Sequence, residues 1–175
     1  MPAVTVLRLG HRKDRDKRAS MHVALVARAL GAKKIVFCGD DDPELLERVR
    51  KVSKKWGGTF AAEYSPSYRA LLKKFKGETV HLTMYGQPFQ KIVPQVRGKN
   101  VLVVVGSEKV PKEVYYLCRH NLSVTTQPHS EIAALALFLH EFFEGRELNA
   151  AFSKALLRIT PNPRGKTVQN KAKYK

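Results

Sequence analysis

Short β-branched segments alternate with helical patterns along nearly the whole chain, and this alternation limits the possible folds more than any other feature. The predicted strands are Val4–Leu9, Lys34–Cys38, Thr59–Ala62, Thr79–Met84, Val101–Val105 and Leu122–Thr125. The predicted helices lie near His22–Leu30, Pro43–Trp56, Pro66–Phe75, Pro88–Val93, Lys112–Arg119 and Glu131–Phe143. This order predicts an α/β fold, a mostly parallel sheet with helices on both faces.

Local signals support the strand and helix assignments. Asp42 precedes Pro43 and Ser65 precedes Pro66, and a capping side chain before a proline is typical of a helix start. Ser130 is the predicted N-cap of the last helix. Val101–Val105 is apolar throughout, as expected of a central strand buried on both faces.

The chain of 175 residues has a length typical of one domain. No repeat or linker divides it, so we assign residues 1–157 to a single domain. Residues 158–175 are rich in proline and lysine, and we predict that they form an irregular basic tail.

The charge of the chain favours a polyanionic partner. Lys and Arg number 32 against 15 Asp and Glu, a formal net charge of +17. Neutralising phosphates with such residues releases condensed counterions, which favours nucleic acid as the partner. An anionic membrane surface is the main alternative, but the chain shows no lipidation signal and no long basic amphipathic helix.

Several classes of protein are disfavoured. Cys38 and Cys118 lie far apart in apolar segments and read as buried thiols, and the six histidines lack the spacing of metal ligands, so we expect no metal. Nothing resembles a signal peptide or a membrane-spanning segment, so we expect a cytoplasmic protein. The chain lacks the glycine-rich dinucleotide fingerprint, the phosphate loop and the hydrolase nucleophile elbow.

Polar turns follow three of the predicted strands, and two of these turns contain glycine. They are Tyr85-Gly86, the segment from Gly106 to Pro111, and the segment from Thr126 to Glu131. Each could be a plain turn between a strand and a helix. Because ligands of open α/β sheets bind beyond the carboxyl ends of the strands, the three together predict one shared pocket.

Arg28 lies on a predicted helix whose other residues are almost all apolar. It could extend to solvent or pair with an internal carboxylate. The alternative is an arginine in a cleft that recognises an anion, because its planar fork of donors suits phosphate.

Four groups of residues together resemble the archaeal tRNA ribose 2′-O-methyltransferases of the SPOUT superfamily, which act on the T-loop cytidine at tRNA position 56. The groups are His11-Arg12, Arg15-Asp16, Arg18, His22, Ala27-Arg28-Ala29 and Gly31-Ala32; His81 to Gly86; Val104 to Pro111; and Gln127 to Leu135. They span most of residues 5–140 and are highly specific as a set.

The resemblance implies S-adenosylmethionine as cofactor, tRNA as substrate, a homodimer with the active site near the subunit interface, and a deep trefoil knot over about residues 79–143. The implied cofactor-binding residues are Leu82, Gly106, Ser107, Glu108, Lys109, Val110, Val124, Thr125, Thr126, Gln127, Pro128, His129, Ser130 and Glu131. The apolar last helix would suit a dimer interface, and burial within one subunit explains its pattern almost as well.

The wider 2′-O-methylating branch carries an Asn-x5-Arg motif, and His22 and Arg28 have the same spacing here. The resemblance therefore makes Arg28 the candidate catalytic residue, orienting the ribose hydroxyl or removing its proton. His22 replaces the asparagine, and Ser130-Glu131-Ile132-Ala133-Ala134 departs from that branch's Ser-Leu-Asn-Val-Ser.

Arg12, Arg15 and Arg18 cluster beside the helix that carries Arg28, which makes them the candidate RNA-binding residues. Two alternative functions stay open from the residues: a basic RNA-binding or ribosome-associated protein without catalysis, and a SPOUT enzyme that methylates a base.

Overall fold

Six parallel strands form the central sheet in a computed structural model that describes residues 3–106 and 109–171. The strands are β1 (Val4–His11), β2 (Lys34–Gly39), β3 (Ala61–Tyr64), β4 (Glu78–Pro88), β5 (Val101–Val105) and β6 (His120–Ser123). The helices are α1 (Lys17–Ala29), α2 (Pro43–Trp56), α3 (Tyr68–Lys74), α4 (Phe89–Val96), α5 (Val114–Leu117) and α6 (Glu131–Phe143), followed by a 3-10 turn at Arg146–Asn149. The sheet order is β3-β2-β1-β5-β4-β6.

Helices cover both faces of the sheet, as predicted. Apolar residues of α1, α2, α4 and α6 form the larger core on one face, and those of α3 and α5 form a smaller core on the other. Every residue of β5 is buried, which confirms its prediction as a central strand. Cys38 and Cys118 are buried free thiols, also as predicted.

Two of the three predicted helix caps are confirmed. Asp42 Oδ1 accepts a hydrogen bond from the Leu45 amide at 3.0 Å, and Ser130 Oγ accepts one from the Ile132 amide at 3.1 Å. The prediction for Ser65 is wrong, because its amide bonds to the Phe37 carbonyl at 2.9 Å and so extends the ladder between β3 and β2. Ser67 caps α3 instead, accepting from the Ala70 amide at 3.2 Å.

Several boundaries also differ from the prediction, and three of them are informative. Helix α1 begins at Lys17 rather than His22, because its first turn is polar and carries no apolar periodicity. Strand β3 begins at Ala61 rather than Thr59. Strand β6 covers His120–Ser123 rather than Leu122–Thr125, since its pairing with β4 starts at His120 opposite Val80.

The prediction of an irregular tail is wrong for the described residues. Strands β7 (Leu157–Thr160) and β8 (Thr167–Asn170) form an antiparallel hairpin, with Pro161, Pro163 and Gly165 in its loop. The Leu156 amide donates to the Lys55 carbonyl at 3.1 Å and ties the hairpin to the end of α2. The β-branched residues flanking the prolines were the sequence signal for these strands.

Candidate functional site

A cavity of about 470 Å³ opens beyond the carboxyl ends of β4 and β5. Its lining combines aliphatic, aromatic and polar side chains from β4, the turn after β5, α5, the β6–α6 connection and the start of α6. The lining residues are His81, Leu82, Thr83, Met84, Tyr85, Gly106, Lys109, Val110, Tyr115, His129, Glu131 and Ala134. This is the edge of a parallel sheet at which ligands bind, and the size is that of a small-molecule site.

The structure brings a subset of the predicted cofactor residues to this cavity: Leu82, Gly106, Lys109, Val110, His129 and Glu131. Others lie in the β6–α6 connection that carries His129 without lining the cavity: Val124, Thr125, Thr126, Gln127, Pro128 and Ser130. Ser107 and Glu108 lie outside the described residues.

Sequence reasoning missed half of the lining: His81, Thr83, Met84, Tyr85, Tyr115 and Ala134. Four of them belong to the run from His81 to Gly86 that carries the resemblance, but only Leu82 of that run is assigned to the cofactor from the sequence. Tyr115 had no local signal, because its place depends on how α5 packs against β4.

Strand β4 is interrupted where it borders the cavity. Leu122 of β6 pairs with both Leu82 and Gln87, so the four residues between them, 83–86, leave the ladder and loop out. A Cβ on Gly86 would lie 2.5 Å from the carbonyl carbon and oxygen of Asn121, so this approach admits only glycine.

The turn after β5 is equally tight. A Cβ on Gly106 would lie 2.1 Å from Cγ2 of Val110. Because Val110 lines the cavity, any side chain at Gly106 would push Val110 out of place. The glycine therefore sets the shape of the cavity wall.

Beneath the cavity, His81 is completely buried and held in one orientation. Its Nδ1 lies 2.9 Å from Oδ1 of Asn121, whose amide nitrogen donates to the Tyr115 carbonyl at 2.9 Å. Asn121 thus presents its oxygen to His81, so Nδ1 carries the proton. Burial lowers the pKa of His81, which favours the neutral ring.

His129 is exposed at the mouth of the cavity. Its Nδ1 lies 2.6 Å from the Gln127 carbonyl oxygen, which can only accept, so Nδ1 is the donor. In the neutral ring Nε2 is then left as a hydrogen-bond acceptor.

Arg8 lies behind the cavity wall and is 1% exposed, and sequence reasoning missed it because a single arginine in a strand gives no signal. Its Nη1 donates to the Gly106 carbonyl, and its Nη2 lies 3.3 Å from Oε1 of Glu131. Burial lowers the pKa of Arg8, and the Glu131 carboxylate opposes that shift.

Arg28 does not line this cavity, and its role as an anion-binding catalytic residue near a subunit interface stays a prediction. Helix α1 runs back from the carboxyl edge, so Arg28 in its last turn lies at the amino edge, on the order of 15–20 Å away by the length of a strand. Its Nη2 donates to the Gly57 carbonyl at 2.7 Å, and its guanidinium lies 4.6 Å from the ring centroid of Phe152.

The three predicted RNA-binding arginines share the carboxyl edge but differ in their contacts. Arg12 is bound to Asp16 through Nε at 3.0 Å and Nη2 at 3.2 Å, and this pairing lowers the pKa of Asp16. Arg15 and Arg18 are exposed and make no ion pair with any described residue. Arg15 and Arg18 are therefore available to an anionic partner.

Two further findings concern residues 3–106 and 109–171 only. They contain no group of three or more His, Cys, Asp or Glu side chains placed to hold a metal ion. None of their helices is long and apolar enough to cross a membrane.

Residues 56–169 match the family model of tRNA ribose 2′-O-methyltransferases, aTrm56. The protein named tRNA (cytidine(56)-2′-O)-methyltransferase of Methanocaldococcus jannaschii is 52% identical over 171 residues, covering 94% of this chain and 95% of its own length. The chain belongs to the aTrm56 family.

Solved structures of two other RNA-modifying enzymes agree with the architecture. The TrmH/SpoU tRNA modifying enzyme of A. aeolicus superposes with a TM-score of 0.63 at 15% identity, covering 85% of this chain and 78% of its own. The AdoMet-bound rRNA methyltransferase of Sinorhizobium meliloti gives 0.60 at 19%, covering 81% and 56%. At these identities the likeness shows the fold alone.

Proposed function

We propose that this chain transfers a methyl group from S-adenosylmethionine to the ribose 2′-hydroxyl of cytidine 56 in tRNA. The observation that carries the proposal is the cavity at the carboxyl edge, built by the motifs through which the chain resembles its family. The name and the 52% identity of the Methanocaldococcus relative support cytidine 56 as the target.

The lining of the cavity fits this cofactor. Leu82, Val110 and Tyr115 offer apolar surface for an adenine ring, while Thr83, His129 and Glu131 offer polar groups for a ribose and an amino-acid moiety. The glycines at Gly86 and Gly106 let Asn121 and Val110 pack closely against these two turns, which shapes the wall against which the ligand would lie. We infer that Ser107, Glu108 and the residues from Val124 to Ser130 complete the binding loops.

When bound, S-adenosylmethionine supplies an electrophilic methyl group that needs no further activation. The chain must then hold the ribose hydroxyl in line and take up its proton. Neither Arg8 nor Arg28 is a suitable base, because guanidinium groups keep their protons in proteins. His129 is our choice, since its Nε2 is an exposed acceptor at the mouth of the cavity.

The RNA would lie across the carboxyl edge. Arg15 and Arg18 follow β1, whose neighbour β5 leads into Gly106 at the cavity, so phosphates bound there would stay close to the site of methyl transfer. The net charge of +17 favours the same partner.

The proposal has three further parts. They are a trefoil knot over about residues 79–143, a homodimer and a cytoplasmic location. In support of the knot, β6 follows β5 but pairs on the far side of β4, where the β4 ladder is interrupted. In support of a dimer, Leu25 and Leu137 lie on the packed helices α1 and α6 and remain 37% and 50% exposed.

The test compares two otherwise identical unmodified tRNA transcripts, one with cytidine and one with 2′-deoxycytidine at position 56, incubated with the protein and methyl-labelled cofactor. We expect label on the first transcript only, in a ribose-methylated cytidine after digestion. Equal labelling of both transcripts, or label on a base, would refute ribose methylation at this position. No label on either transcript would favour the alternative function, an RNA-binding protein without catalysis.

A further inference from the structure

An ion pair behind the wall of the cavity connects two segments of that wall. Neither the sequence motifs nor the family resemblance assigns this pair. Arg8 is a buried cation in β1, and Glu131 is the first residue of α6. Arg8 spans the β5 turn and the start of α6, because one arm of its guanidinium donates to the Gly106 carbonyl and the other lies 3.3 Å from Glu131.

The two residues of this ion pair differ in their exposure to the cavity. Arg12 and Asp16 lie near Arg8 but bind each other, and so cancel locally. In the described part of the chain, Arg8 is the only cation within ion-pair distance of Glu131. The Glu131 side chain is 35% exposed and lines the cavity, whereas that of Arg8 is 1% exposed. The cavity thus displays a carboxylate whose ion-pair partner is hidden behind it, and Lys109 is a further charged residue of the lining.

This arrangement matters for a ligand whose charge changes during the reaction. S-adenosylmethionine carries a sulfonium cation, and the product S-adenosylhomocysteine carries a neutral thioether in its place. An unbalanced carboxylate in the cavity would favour the cation, and an unbalanced arginine would disfavour it.

We propose that Arg8 is a positioning residue that holds the Gly106 turn and neutralises Glu131, and thereby sets how strongly the cavity discriminates cofactor from product. The inference rests on the proposed function, since it takes S-adenosylmethionine as the ligand. Arg8 acts through Gly106 and Glu131 and itself lies outside the cavity.

Isothermal titration calorimetry of the full chain with each of the two ligands tests the proposal. Arg8→Met should raise the ratio of the product's Kd to the cofactor's Kd by about threefold, a modest change because Glu131 is partly screened by solvent. Glu131→Gln should lower the same ratio by about as much. The double variant should return to the wild-type ratio.

Arg28→Met is the matched control, because it removes a second buried arginine at the opposite edge of the sheet. It should leave the ratio unchanged even if it lowers the melting temperature. If Arg8→Met fails to fold, the Glu131→Gln variant still tests the proposal. A lowered ratio of the product's Kd to the cofactor's Kd supports it, and an unchanged ratio overturns it.

The remaining outcomes separate the two proposals. If the wild type binds both ligands and neither single variant changes the ratio, Arg8 is merely structural and only this inference fails. If the wild type gives no saturable heat with either ligand, the proposed function fails and the inference with it.

Discussion

Each edge of the parallel sheet holds a buried arginine, and only one of the two contacts residues that line the cavity. At the carboxyl edge, Arg8 contacts Gly106 and Glu131, both of which line the cavity. At the amino edge, Arg28 donates to the Gly57 carbonyl and packs on Phe152, away from that cavity. Both leave Nε without a partner among the described residues, so burial alone does not distinguish them.

The difference lies in what the rest of the chain brings to each edge. The carboxyl edge collects polar turns and two close-approach glycines around an open volume. At the amino edge, the segment leading into the C-terminal hairpin covers Arg28 with an aromatic ring. A buried arginine therefore indicates function only when its partners face a ligand site.

The largest effect should come from His129, the proposed proton acceptor of the carboxyl edge. His129→Gln keeps a polar side chain but cannot take up a proton, so we expect kcat to fall by about a hundredfold. The affinity for S-adenosylmethionine should fall much less than kcat, because glutamine keeps a polar side chain in the lining and the loop backbone is kept. Single-turnover rates at saturating tRNA measure the first quantity and calorimetry the second. Unchanged turnover would remove His129 from the mechanism.

A smaller effect is expected at Gly106. Gly106→Ala displaces Val110 from the cavity wall, and we expect the affinity for S-adenosylmethionine to fall by about tenfold, as one well-packed contact is lost. Gly165→Ala is the control, since its Cβ meets nothing closer than 3.6 Å. Equal binding by both variants would mean that the turn is only structural.

The exposed arginines should affect tRNA binding and leave cofactor affinity unchanged. Replacing Arg15 and Arg18 with Gln should reduce the log–log salt slope of tRNA affinity by about 1.5, because each phosphate contact contributes about 0.7 to 0.9. Arg12→Gln should instead lower the melting temperature, because it breaks the pair with Asp16. If the slope falls only with Arg12→Gln, the RNA lies elsewhere on this surface.

The smallest effect on catalysis is expected at the amino edge. Arg28→Ala leaves the buried Gly57 carbonyl without its donor, so the free energy of unfolding should drop by about 1–3 kcal/mol. Turnover at saturating tRNA should stay within about twofold of wild type, since the residue lies a strand length from the cavity. Chemical denaturation and steady-state kinetics check the two values. Lost turnover at unchanged stability would restore the role suggested by the spacing from His22.

The sequence was sufficient for the fold class and for most of the elements, because their signals are local, but not for the C-terminal hairpin. The apolar run of β5 and the Asp42–Pro43 helix start each predicted an element that the structure confirms. The family resemblance is likewise confirmed, and the turns predicted at the strand ends include residues that line the cavity. The roles of Arg8 and Tyr115 could not be predicted, because they depend on contacts between residues distant in sequence. The catalytic role of Arg28 stays a prediction, because spacing along a helix does not say which edge of the sheet its side chain will reach.

The central claim is that S-adenosylmethionine binds at the carboxyl edge of β4 and β5. Backbone amide hydrogen exchange, followed by mass spectrometry with and without the cofactor, tests it directly. We predict slower exchange in peptides that cover Leu82 to Gly86, Lys109 to Val110 and His129 to Glu131, with no change at Gly57 or Phe152. Protection confined to Gly57 and Phe152, with none at the cavity, would contradict the account.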